Sequence, residues 1–226
     1  TRAYVADNLG NSVSVIDTAT NAVVGTIVVG GPPWGVAFNP SGSRAYVTNW
    51  NAGRMSVVDT ATQAVIATVG VGNGASGVAV NSAGTRVYVA NYWDGSVSVI
   101  DTATNGVVAT VPTASRPSNL AVSPDGSQVY TANSGGANVM SVIDTATNTL
   151  LGTVAVGTQP VGIAVSPDGS SAYVANYAGN SVSVIDIATS TVVSTVAVGG
   201  NPMWVAVSPD GRYAYVTDIS GNSVSV

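Results

Sequence analysis

The feature that most constrains this chain is an internal repeat of about 42 residues. Each copy contains a Tyr-(Val/Thr)-(Ala/Thr)-(Asn/Asp) motif and, after it, an aspartate that ends a Val-(Ile/Val)-Asp segment. The motif tyrosines are Tyr4, Tyr46, Tyr88, Tyr130, Tyr173 and Tyr215, and the aspartates are Asp17, Asp59, Asp101, Asp144 and Asp186. A period of this length indicates an array in which one supersecondary unit is stacked on copies of itself.

Each repeat is predicted to contain four short strands. In one copy they fall at residues 162–166, 172–176, 181–186 and 191–198. Valine and isoleucine alternate there with small or polar residues, and Pro-Asp-Gly and Gly-Gly sequences separate the segments. Four antiparallel strands in a repeat of this length are typical of one blade of a β-propeller. The sequence therefore predicts an all-β fold, a β-propeller of four-stranded antiparallel blades, as a single domain over residues 1–226.

The number of blades follows from the two partial copies at the ends of the sequence. Residues 1–15 align with residues 212–226, which gives six second and six third strands but only five first and five fourth strands. We predict six blade positions. The alternatives are a five-bladed ring in which residues 212–226 are surplus, and an excerpt from a longer, seven-bladed chain. Unpaired blade edges would favour self-association.

The repeat resembles the YVTN β-propeller family. The resemblance rests on Tyr46-Val47-Thr48-Asn49, Tyr88-Val89-Ala90-Asn91, Tyr173-Val174-Ala175-Asn176 and the recurring Ser-Pro-Asp-Gly turns, and it covers essentially the whole chain. It implies a surface-layer or other extracytoplasmic protein, located outside the cell, at the cell surface or in the periplasm. Members of that family frequently have no assigned activity, so the resemblance points to location more than to chemistry.

Composition disfavours several classes of function. The formal net charge is −5 and there is no basic cluster, which argues against nucleic acid as a partner. No uninterrupted apolar run approaches the roughly 18 residues of a membrane-spanning helix, so we expect no membrane insertion. The chain has no His, Cys, Lys or Glu, and these residues supply most general bases, nucleophiles and haem or copper ligands. We predict no cofactor, no metal site and no catalytic activity.

Strand order sorts the connections of each blade into two groups. With the strands labelled A to D, the A–B and C–D turns lie at one end and the B–C and D–A connections at the other. The A–B and C–D turns are uniform, with Ser-Pro-Asp-Gly and Asp-Thr-Ala-Thr sequences whose side chains can bond their own backbone. We interpret these aspartates as structural rather than as calcium ligands.

The B–C and D–A connections differ between repeats and contain all four tryptophans. Variable loops on a rigid scaffold commonly bind ligands, and aromatic residues with arginine are common anchors of recognition surfaces. The predicted binding face consists of Trp34, Trp50, Arg54, Tyr92, Trp93, Asp94, Arg116, Tyr177 and Trp204. The alternative interpretation is packing, in which Trp34 and Trp204 close the central channel and Tyr92 and Tyr177 cover blade edges.

The predicted function is a non-catalytic structural or recognition module whose partner is a protein or a glycan. The alternative is a hydrolase or lyase with an Asp-based or metal-assisted site on the same face. Two structural predictions accompany it. The tyrosines Tyr46, Tyr88, Tyr130 and Tyr173 should be largely buried, with Val47, Val89 and Val174 facing the opposite side. The polar residue that ends each strand B should brace the backbone of the B–C loop.

Overall fold

The computed structural model describes all residues 1–226 and consists almost entirely of β-strands. The first half of the chain contains β1 (Arg2–Asp7), β2 (Ser12–Asp17), β3 (Ala22–Val28), β4 (Pro33–Phe38), β5 (Arg44–Asn49), β6 (Arg54–Asp59), β7 (Ala64–Gly70), β8 (Ala75–Val80), β9 (Arg86–Asn91), β10 (Ser96–Asp101) and β11 (Gly106–Pro112). The second half contains β12 (Pro117–Val122), β13 (Gln128–Asn133), β14 (Val139–Asp144), β15 (Thr149–Ala155), β16 (Pro160–Val165), β17 (Ser171–Asn176), β18 (Ser181–Asp186), β19 (Thr191–Ala197), β20 (Pro202–Val207), β21 (Ala214–Asp218) and β22 (Ser223–Ser225). A single 3-10 turn, Trp50–Ala52, interrupts the strands, and no helix has the length and apolar character needed to cross a membrane.

The strands form six antiparallel sheets in which neighbours in sequence are neighbours in space. Blades 2 to 5 are four-stranded (β4–β7, β8–β11, β12–β15 and β16–β19), whereas blade 1 (β1–β3) and blade 6 (β20–β22) have three strands. This architecture is the predicted β-propeller with six blades. Residues 1–15 and 212–226 lie in different sheets, as a six-bladed arrangement requires, and the five-bladed alternative is wrong.

The chain forms two compact units, Thr1–Thr110 and Val111–Val226, with the boundary inside β11. The first unit contains blades 1 to 3 and the second contains blades 4 to 6. The predicted strand limits hold to within about two residues. Strand A of blade 5 begins earlier than predicted, at Pro160, because Pro160 still pairs with Asn176 across a register shift before Gly162.

The cores within each unit form between consecutive blades. Strand B of a blade contributes side chains to the core on each of its two sides. Tyr46 packs with Val87 and Ile100 of blade 3, whereas the next residue, Val47, packs with Val13 and Val15 of blade 1. Successive side chains of a strand point to opposite faces, so one strand B contributes to two adjacent cores. The predicted burial is confirmed for three tyrosines, with exposures of 1% for Tyr46, 1% for Tyr88 and 2% for Tyr130.

Tyr173 is less completely buried than the other three tyrosines. It is only partly buried and lines an open groove of about 470 Å³ with Val182, Val184 and Val196. In blade 5, Ile185 near the end of strand C completes the core that covers Tyr130.

In the blades where the polar residue at the end of strand B is buried, its role differs from the predicted one. Asn91 donates hydrogen bonds to Ser96 Oγ at 3.1 Å and Ser98 Oγ at 2.9 Å, and its Oδ1 accepts from the Gly72 N–H at 3.0 Å. It therefore ties strand C to the D–A connection. Only the exposed Asp7 bonds its own B–C loop, through the Gly10 N–H at 3.1 Å.

Candidate functional site

Hydrogen bonds between connections show which loops share an end in each unit. In the first unit the Trp50 N–H donates to the Pro32 carbonyl at 2.9 Å, which joins a B–C loop to a D–A connection. At the other end the Thr60 N–H donates to the Ser43 carbonyl at 3.1 Å, joining a C–D turn to an A–B turn. Ser134 to Arg116 and Thr145 to Ser127 repeat these two bonds in the second unit. The predicted sorting of the connections therefore holds within each unit. We call the two ends the loop end and the turn end.

The carboxylates of the turn end are held by their own turns. Asp101 Oδ1 accepts from the N–H groups of Thr104 and Ala103, both at 3.0 Å, and from Thr104 Oγ1, and these bonds lower the pKa of Asp101. Asp168 accepts from Ser166 Oγ at 2.6 Å and from the Ser170 N–H at 3.0 Å. The hydrogen bond from Ser166, followed by those from Ser170, lowers the pKa of Asp168 to about 2. Hydrogen bonds to an ionised carboxylate stabilise the ionised form. These aspartates therefore hold their turns in place.

Four of the predicted face residues come together at the loop end of the first unit. Trp34 begins β4, Trp50 lies in the 3-10 turn after β5, and Tyr92 and Trp93 form the loop after β9. The ring centroids are 5.1 Å apart for Trp34 and Trp50, 5.3 Å for Trp50 and Tyr92, 6.0 Å for Trp50 and Trp93, and 4.8 Å for Tyr92 and Trp93. These spacings are those of favourable tilted and edge-to-face aromatic pairs. We call these four residues the aromatic cluster.

Local glycines allow the cluster to form. Gly74 has a φ of +71°, and a Cβ there would lie 2.6 Å from Trp93 Cδ1. Only a residue without a side chain lets the Trp93 ring approach the β7–β8 connection so closely. The Trp93 N–H then donates to the Asn73 carbonyl at 3.1 Å, which fixes the loop against that connection.

A polar pair flanks Trp93. Asp94 Oδ2 accepts from the Asn73 N–H at 2.8 Å, and Asp94 Oδ1 accepts from Asn73 Nδ2 at 3.0 Å. Both residues are exposed. The predicted residue Arg54 begins β6 at the same end and is also exposed. Sequence reasoning missed Asn73, because nothing in its own segment marks a partner 21 residues later.

The other three predicted residues belong to the second unit. The Arg116 carbonyl accepts from the Ser134 N–H at 2.9 Å, the Tyr177 carbonyl accepts from Asn201 Nδ2 at 3.3 Å, and the Trp204 N–H donates to Thr217 Oγ1 at 3.1 Å. Tyr177 and Trp204 are partly buried, and no ring contact joins them. Tyr177 and Trp204 therefore do not form an aromatic pair.

The packing interpretation and the binding interpretation apply to different members of the aromatic cluster. Trp34, Trp50 and Tyr92 are partly buried and contact one another, as packing residues do. Trp93 is 55% exposed although it contacts two of them. A large apolar ring left half in water on a rigid aromatic base is the feature that packing alone does not explain.

Comparison with known proteins places the chain among propellers. The family described as "Lactonase, 7-bladed beta-propeller" matches residues 107–193, which is less than half of the chain. No curated protein matches the sequence.

Solved structures share the fold at low identity. Hydrazine synthase of Kuenenia stuttgartiensis aligns with a TM-score of 0.71 at 20% identity, covering 99% of this chain and 91% of that chain. A functionally unknown protein from Desulfotomaculum acetoxidans DSM 771 aligns with a TM-score of 0.88 at 21% identity, covering 96% of this chain and 73% of that chain. At this identity the likeness establishes the propeller fold alone.

Proposed function

We propose that this chain is a non-catalytic recognition module of the YVTN type, whose ligand contacts the aromatic cluster. The observation that carries the proposal is the exposed ring of Trp93 resting on Trp50 and Tyr92. Exposed aromatic side chains held rigid by neighbours lose little conformational entropy on binding, which is why they dominate recognition surfaces. The extracytoplasmic location is part of this proposal and rests on the resemblance of the repeats.

The state of the carboxylates supports binding over catalysis. Eight of the eleven aspartates have a lowered pKa, and in each of them a hydrogen bond within the turn is the leading cause. They are Asp17, Asp59, Asp101, Asp125, Asp144, Asp168, Asp186 and Asp210. A general acid at neutral pH needs the opposite shift. These aspartates therefore serve the turns, and the variable loops are free to serve a ligand.

A lactone hydrolase is the second candidate, favoured by the family match over residues 107–193. Lactone hydrolysis needs a base to activate water and donors to stabilise the oxyanion. In the matched segment the one cationic residue, Arg116, precedes strand A at the loop end, whereas the aspartates lie at the turn end. The exposed loop-end carboxylates that could act as a base, Asp7 and Asp94, lie outside the matched segment. Measured hydrolysis of δ-gluconolactone that is lost in Asp94→Asn would favour this candidate, as would a stoichiometric cation found by metal analysis.

The proposed function is tested by comparing stability and binding in Trp93→Ala and Leu9→Ala. Leu9 occupies the same repeat position as Trp93 in blade 1 and is 94% exposed, which makes it a matched control. We expect Trp93→Ala to weaken the binding of a partner by about 1–3 kcal/mol. The free energy of unfolding should change by under about 1 kcal/mol. Wholesale unfolding of Trp93→Ala, with Leu9→Ala unaffected, would instead assign Trp93 to packing.

A further inference from the structure

We infer that the ligand of the aromatic cluster is a neutral glycan, with a sugar ring stacked on Trp93 and its hydroxyls bound by the Asn73–Asp94 pair. This inference rests on the proposed function and specifies the chemistry of its ligand. Three properties of the first unit carry it: the exposed ring, the polar pair beside it, and the charge around it.

The exposed ring provides an apolar platform. Trp93 meets Tyr92 at an interplanar angle of 89° and Trp50 at 63°, so two neighbouring rings contact it at edge-to-face angles. With 55% of its surface in water, Trp93 presents a ring surface rather than the fully desolvated recess that typically anchors a protein side chain. The apolar C–H face of a pyranose is flat and of comparable size to such a ring.

The polar pair provides both kinds of hydrogen-bonding group at a fixed spacing. Asn73 Nδ2 uses one N–H on Asp94 Oδ1, which leaves its second N–H free to donate. The two carboxylate oxygens of Asp94 accept the Asn73 bonds at 2.8 and 3.0 Å and have further lone pairs. A sugar hydroxyl donates and accepts at once, so two adjacent hydroxyls can engage the amide and the carboxylate together.

The charge near the pair favours a neutral ligand. Gly53 places its chain beside Asn73, since a Cβ on Gly53 would lie 3.6 Å from Asn73 Oδ1, and Arg54 follows Gly53. One arginine and one aspartate leave no net charge within this part of the loop end, and the whole chain carries −5. Sulfated or sialylated glycans and acidic peptides need a cationic surface, which these residues do not form.

The test is titration of the full chain with cellohexaose, chitohexaose and mannohexaose. Tryptophan fluorescence and calorimetry measure the binding. We expect at least one of these sugars to bind and to shift the fluorescence. Trp93→Ala should weaken that binding about tenfold or more, and Asn73→Ala and Asp94→Asn about threefold or more each. Leu9→Ala should leave it unchanged. Circular dichroism establishes that each variant is folded.

The outcomes separate this inference from the proposed function. If no neutral sugar binds, but heparin or a protein binds the unchanged chain and Trp93→Ala loses that binding, the glycan inference is wrong and the recognition function stands. If neither a sugar, heparin nor a protein gives a Trp93-dependent complex, both are wrong. Sugar binding that survives Trp93→Ala and Asp94→Asn also overturns the inference, because the sugar then binds elsewhere.

Discussion

The turn end and the loop end of each unit are built from the same repeat but satisfy their hydrogen bonds in different ways. At the turn end, Asp101 bonds the backbone two and three residues later, and the equivalent aspartates of the other blades do the same within their own turns. At the loop end, Asn91 reaches across to Gly72 in another connection, and Asp94 reaches Asn73. The aspartates of the turn end bond locally, whereas Asn91 and Asp94 at the loop end bond a different connection.

This difference explains why one end is uniform and the other varies. An aspartate turn whose carboxylate bonds the backbone two or three residues later needs the same few residues in every blade, so its sequence recurs. At the loop end, B–C loops bond a D–A connection through backbone groups, as the Trp50 N–H does to the Pro32 carbonyl and the Tyr92 N–H to the Gly74 carbonyl. Such bonds do not depend on which side chains the loop contains. The loop end can therefore present Asn8-Leu9 in one blade and Tyr92-Trp93 in another, and recognition can evolve there at little cost to the fold.

The largest test of this comparison is the removal of a tertiary bond at the loop end. Asn91→Ala leaves the Gly72 N–H and the hydroxyls of Ser96 and Ser98 without their partner. We expect a loss of about 2–4 kcal/mol in the free energy of unfolding, because buried polar groups without partners are costly. Urea denaturation measures it. The exposed Asn51→Ala is the control, and an equal loss in both variants would contradict the distinction.

A smaller, opposite effect is expected at Asp218, which replaces the asparagine in blade 6. Asp218 is 2% exposed, its Oδ2 accepts from Ser225 Oγ at 2.6 Å, and its Oδ1 has no partner. Asp218→Asn should raise the free energy of unfolding by about 1 kcal/mol, because a buried amide costs less to desolvate than a carboxylate. The exposed Asp7→Asn should change little. Destabilisation by Asp218→Asn would show that the carboxylate holds a partner of its own.

The aspartates of the turn end should make the free energy of unfolding depend on pH. The pKa of Asp168 is lowered to about 2 in the folded chain, against about 4 when unfolded. Its contribution is therefore complete above pH 4 and is lost as the pH falls toward 2. Asp168→Asn should flatten the acid limb of the stability profile over this window, measured by urea denaturation at successive pH values. Trp93→Ala should leave the shape of that limb unchanged, and flattening in both would remove the contrast between the ends.

The smallest effect concerns the blade edges. β1 lies at the edge of blade 1, which lacks strand A, and β22 lies at the edge of blade 6, which lacks strand D. We expect weak, concentration-dependent self-association through such edges. Sedimentation velocity over a range of concentrations measures it. Val224→Lys in β22 should reduce it, whereas Leu9→Lys in a loop should not. Association that both variants reduce equally would point to a general apolar effect.

The sequence predicted the strands well and the candidate site in part. Strand B and strand C limits such as Ser181–Asp186 followed from alternation and turn residues, which are local signals. The aromatic residues were assigned to one end by strand parity. Their contacts were not predictable, because Trp34, Trp50 and Trp93 come from three separate connections in two blades. The Asn73–Asp94 pair and the bond from Gly72 to Asn91 were missed for the same reason.

By itself, the sequence determined the propeller fold and the structural role of the turn aspartates, since each depends on spacing or on bonds within a few residues. Only the tertiary structure decided that Trp50 touches Tyr92 and Trp93 and that Asp94 pairs with Asn73. These contacts join segments about 20 or more residues apart. They depend on how one blade packs against the next, which the period of the repeat does not specify.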